Sequence, residues 1–134
     1  MEMSKYMNYS LMKVSLKKAM HAGFYYEAIF LEYAMIQDRV ESILIHAKGS
    51  DSVENKQNIS RSINRIKSSR PFSEPRIRAM VPIELLDEVL AWCDVRNGFV
   101  HSLAKCGLDG EKAEKVALLG KTILDKVDNS SKKI

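Results

Sequence analysis

Asp94-Val95-Arg96-Asn97-Gly98-Phe99-Val100-His101 lies late in a long amphipathic pattern that starts near Pro82. We project that pattern at 100° per residue with Asp94 at zero. Leu85, Leu86, Val89, Leu90, Trp92, Cys93, Phe99, Val100, Leu103 and Ala104 then fall on an arc from roughly 140° to 320°. Glu84, Asp87, Glu88, Ser102 and Lys105 fall outside it. The spacing predicts a helix with one face in a core. Arg96 breaks the pattern, because it projects at about 200°, inside the apolar arc. Asn97 and His101 project near about 300° and 340°, one turn apart on the arc's edge. A guanidinium on a buried face is costly unless a carboxylate, a phosphate or a partner chain answers it. A local rule broken at one place marks where function is worth seeking.

The rest of the chain reads as helices on either side of this one. Residues 1–22 predict a first helix through Leu11, Val14, Leu16, Ala19 and Met20, stopped at Gly23. Phe24 to Lys48 is the longest helical pattern, with no Gly or Pro inside and apolar residues nearly all round the wheel. Such a helix is buried on more than one side, by its own bundle or by a second protomer. Its acids Glu32, Asp38 and Glu41 are the candidate partners for Arg96. Gly49-Ser50-Asp51-Ser52 punctuates the chain, and a weaker helix from Val53 to Ser69 carries Ile59, Ile63 and Ile66. Pro71 and Pro75 stop helix on either side of a loop. Residues 111–128 predict a last helix through Ala113, Val116, Ala117, Leu118, Leu119, Ile123, Leu124 and Val127, and residues 129–134 a solvated, flexible tail. The expectation is a single all-α domain over residues 1–128, an antiparallel bundle of four to five helices.

Composition sets outer bounds. The 134 residues are 46% hydrophobic and 28% charged, the values of an ordinary globular domain with one core. The net charge of +4 is mild, but its distribution is uneven. Arg61, Arg65, Lys67, Arg70, Arg76 and Arg78 fall between Asn58 and Arg78 with only Glu74 among them, so that segment is the candidate surface for a nucleic-acid backbone. A solvated basic face is the plain alternative. Cys93 and Cys106 lack the spacing of a metal site and read as reduced thiols. No Gly-rich phosphate loop is present, and no cofactor is expected. No apolar stretch approaches about 18–20 residues, so the expected location is the cytoplasm, without membrane contact.

Arg96-Asn97-x-x-x-His101 resembles the signature of HEPN domains: an Arg, a polar residue, then a His five positions after the Arg. The all-helical pattern with the motif on a late helix is similar to that family over most of the chain. The resemblance implies a HEPN-like helical domain, a symmetric homodimer with a shared site, and metal-independent endoribonuclease activity of the toxin or phage-defence type. It also implies that an antitoxin or neighbouring regulatory protein can be a partner.

The residue chemistry is compatible with that expectation. RNA cleaves itself when its 2′-hydroxyl loses a proton and attacks the adjacent phosphorus. An imidazole such as His101 can move that proton, and a guanidinium such as Arg96 can hold the phosphate as charge develops. Asn97 can orient either. Geometry adds a condition, because five residues on one helix separate the Arg96 and His101 directions by about 140°. Distortion at Gly98 or two motif helices facing across a two-fold axis would bring such groups together. Two other readings stay open: a catalytically silent HEPN-like module that binds RNA, a nucleotide or a protein, and a structural bundle in which Arg96 is paired internally.

Overall fold

A computed structural model describes residues 2–48 and 58–134 of the protein. Among the described residues, six α-helices run in the order α1 (Glu2–Ala22), α2 (Tyr25–Lys48), α3 (Ile59–Ser68), α4 (Pro75–Met80), α5 (Ile83–Cys106) and α6 (Gly110–Lys133). One 3-10 turn, Pro71–Ser73, separates α3 from α4. Among the described residues there is no strand, and no helix is long and apolar enough to cross a membrane. The six-residue α4 adds one helix to the expected four or five. It forms because Pro75 occupies the first helical position, where a missing N–H is tolerated. The punctuation at residues 49–52 and the proposed start of α3 at Val53 lie outside the described residues.

Helix boundaries follow local chemistry. Gly23 takes φ 76°, and Phe24 N–H reaches back to the Ala19 carbonyl at 2.8 Å, closing α1 in a left-handed cap that glycine adopts without strain. Asn58 caps α3 by accepting the Arg61 N–H at 2.8 Å, and Asp109 caps α6 by accepting the Lys112 N–H at 3.1 Å. Gly107 ends α5 with φ 82°.

The centre of the domain is α2, which packs against α1, α3 and α6. Ala28, Met35, Ile36, Val40, Ile43 and Leu44 are all buried, which accounts for the apolar residues spread round its wheel. Ile59, Ile63 and Ile66 of α3 close one side, and Phe72 of the 3-10 turn adds a ring. From α5, Leu85, Leu86, Val89, Trp92, Cys93 and Phe99 enter the core as their wheel positions predict. Leu90 and Leu103 are half-buried, whereas Val100 and Ala104 remain exposed. Trp92 joins α5 to α6 by donating Nε1–H to the Val116 carbonyl at 3.1 Å.

Three expectations are corrected. Residues 129–134 are no loose tail: α6 continues through Lys133, and Ser130 and Ser131 are buried against the bundle. Among the described side chains of α1, Leu16 and Ala19 alone are buried; Leu11 and Val14 face outward with Met7. Leu118 and Leu119 of α6 are also exposed, because Gly120 and Ala117 occupy the packed side.

Candidate functional site

Arg96 lies where α5 passes α2, and its surroundings differ from those expected. The guanidinium carbon sits 4.2 Å from the centroid of the Tyr33 ring. One terminal nitrogen donates to Asn97 Oδ1 at 3.0 Å, while the buried Nε has no hydrogen-bond partner among the described residues. A flat, delocalised cation stacked on an aromatic face is a favourable arrangement that needs no carboxylate. None of the expected acidic partners pairs with Arg96 among the described residues. Asp38 pairs with Arg39 and, at 3.2 Å, with Lys5. Glu41 is half-buried, and burial, then Asp38, pushes its carboxyl above the usual range.

Glu32 is the most unusual of the three. It is wholly buried, and neither carboxylate oxygen has a hydrogen-bond partner among the described residues. It faces α6 at Gly120. A Cβ there would overlap Glu32 Oε1 and come within 2.7 Å of Trp92, so this glycine is required by close approach. Burial dominates its acidity and pushes the carboxyl up to about 9, with Lys121 opposing and Asp125 adding. Glu32 is therefore a neutral acid at pH 7, which is how an isolated carboxyl survives in a core.

The motif is only partly assembled within one chain. Arg96 and Asn97 touch, but His101 is exposed and bonds to neither among the described residues. The imidazole faces solvent on the outer side of α5. Gly98 adjoins this open face, with nothing within 4 Å of where its Cβ would lie. Cys93, one turn before Asn97, is buried; desolvation pushes its thiol up to about 11 despite the nearby Arg96, so it stays protonated.

The basic residues separate into two groups. Lys67 pairs with Asp87 at 2.5 Å, and Arg78 donates to the Phe72 carbonyl at 2.9 Å while lying over that ring. Arg61, Arg65, Arg70 and Arg76 have no side-chain ion pair among the described residues, and all but the half-buried Arg65 are exposed. A pocket of about 430 Å³ opens between α3 and α5, lined by Tyr33, Asn58, Ile59, Ser60, Asn64, Leu90, Cys93, Asp94 and Asn97, without any of these arginines. Sequence reasoning missed this pocket, because no spacing relates Asn64 to Asn97. It also missed Tyr33, whose contact with Arg96 depends on how α2 crosses α5. A groove of about 520 Å³ between α1, α2 and α6 includes none of the motif residues. Among the described residues, no three His, Cys, Asp or Glu side chains gather to hold a metal ion. Compared with family models, curated proteins and solved structures, the chain matches none of them.

Proposed function

We propose that this chain is a HEPN-like endoribonuclease, cytoplasmic and dimeric, that cleaves RNA without a metal ion. One observation carries the reading. Arg96 of the Arg96-Asn97-x-x-x-His101 motif is held by a ring and an amide, not neutralised by a carboxylate. Its positive charge is therefore available to an anion, and Asn97 fixes its plane. A phosphate can take paired hydrogen bonds from such a guanidinium. His101, open to solvent, moves the proton: it deprotonates the 2′-hydroxyl or protonates the departing 5′-oxygen. The 2′-oxygen forms a bond to phosphorus, the bond to the 5′-oxygen breaks, and a 2′,3′-cyclic phosphate is left.

Because His101 and Arg96 point apart within one chain, the complete site in this reading is built from two copies. The exposed face of α5 around Gly98 suits the close approach of a second helix. Arg61, Arg65, Arg70 and Arg76 supply sequence-independent attraction for the RNA backbone, with smaller contributions from Lys67 and Arg78. Silencing by an antitoxin-type protein belongs to the same reading.

The test is cleavage of a mixed RNA by the purified protein in EDTA, with His101→Ala beside it. The expected result is cleavage by the parent alone, leaving cyclic phosphate ends. Equal cleavage by a folded His101→Ala protein refutes the assignment. One observation favours a silent RNA- or nucleotide-binding module instead: the exposed His101 has no hydrogen-bond partner among the described residues to orient its ring. RNA binding without turnover by either protein decides for that reading.

A further inference from the structure

The pocket between α3 and α5 has a chemistry that the motif alone does not use. Its lining includes the buried Ile59 and Cys93, which offer apolar contact. Its rim carries hydrogen-bonding groups of both kinds. Asn97 Oδ1 is occupied by Arg96, which leaves the two N–H donors of that amide free. Asn64 and Asp94 are exposed on the rim, with no side-chain partner among the described residues. Asp94, when ionised, can only accept. Tyr33 lines the same pocket and carries the Arg96 guanidinium, so pocket and motif share a wall. A flat ligand with an apolar face, an amine donor and an adjacent ring-nitrogen acceptor matches this set.

We infer that this pocket binds a nucleobase bearing an exocyclic amine beside an unprotonated ring nitrogen, as adenine does, and so sets which nucleotide lies beside Arg96. This rests on the RNA reading of the motif. The Asp94 carboxylate accepts from the exocyclic amine. The Asn64 and Asn97 amide N–H groups donate to the ring nitrogen beside it, which is N1 on the Watson–Crick edge of adenine. The volume of about 430 Å³ lies within the range of small-molecule sites. On this edge, replacing the amine by an oxo group reverses both partners, since hypoxanthine then offers O6 as an acceptor to Asp94 and N1–H to the amide donors. A base pocket that loses a bidentate pair discriminates by about tenfold or more.

The experiment titrates AMP, IMP and ribose 5-phosphate into the full chain. Binding is followed by NMR through the side-chain amide signals of Asn64 and Asn97. The expected result is that AMP binds about tenfold tighter than IMP and shifts both amide signals. Asn64→Leu then lowers AMP affinity about tenfold without changing that of ribose 5-phosphate, and Asp94→Ala brings AMP and IMP to within about twofold. Both substitutions are at exposed positions, so circular dichroism should show an intact fold. Absent binding, equal binding of AMP and IMP, or AMP shifts away from these amides overturns the inference. His101-dependent cleavage with no AMP preference removes only the pocket assignment. AMP selectivity without any RNA cleavage removes only the nuclease reading.

Discussion

Replacing Glu32 by Gln tests whether a neutral carboxylic acid lies at the centre of this bundle. The folded protein holds this group at about 9, against the ordinary 4.5. Between these values the folded state binds a proton that the unfolded state has released. Stability therefore falls as pH rises, starting above the unfolded value and flattening above the folded one. At about 1.4 kcal/mol per pH unit, the loss between pH 5 and pH 8.5 is about 4 kcal/mol. That is a large share of the roughly 5–15 kcal/mol of an ordinary domain. Glu32→Gln keeps the shape and removes the titration, so its stability should change far less over the same interval. Urea unfolding at pH 5, 7 and 8.5, followed by Trp92 fluorescence, measures both proteins. Glu32→Met adds a second arm: an unbranched apolar side chain removes the orphan carboxyl and should be at least as stable as the parent at pH 8.5. Parallel pH profiles for parent and Glu32→Gln would show that the carboxyl is solvated or paired, and would refute the reasoning.

Three further outcomes follow from the packing. Arg96→Ala should cost only about 1 kcal/mol in the same unfolding assay, because it leaves a tyrosine ring and not an orphaned carboxylate behind; a loss of several kcal/mol would restore the internally paired reading. Gly120→Ala should cost about 1–3 kcal/mol, because the new methyl meets Glu32 and Trp92, and the added Glu32→Ala substitution should recover part of it. At Asp128, burial raises the carboxyl, but Lys13 and Lys132 outweigh it and hold it below the ordinary value. Its contribution is therefore present near neutral pH and lost as pH falls through its folded value; Asp128→Asn should cost about 1 kcal/mol at pH 7 and little in strong acid, as thermal melts at the two pH values would show.

Much of the architecture was legible because helix periodicity is a local property. The wheel of α5 placed Leu85, Leu86, Val89, Trp92, Cys93 and Phe99 inside, and they are inside. Gly23 marked a stop because its positive φ is tolerated by glycine. The all-round apolar pattern of α2 corresponded to its central position. Periodicity misled at Leu11, Val14, Leu118 and Leu119, hydrophobic side chains that the described residues leave exposed. It also missed the last turn of α6, since Ser130 and Ser131 look polar in sequence yet are covered by the fold.

The sequence alone determined an all-helical chain, the motif's place on α5, and the charge density of α3 and the turn after it. Those features depend on residues a few positions apart. The tertiary structure decided what each polar group meets. It set Arg96 over Tyr33, sixty-three positions away, in place of an acid. It pressed Glu32 against Gly120 and brought Asn64 beside Asn97 at one pocket. Such partners depend on how two helices cross, and crossing is settled by the whole core at once: a side chain's spacing reports which way it leaves its own helix, but not which residue waits there.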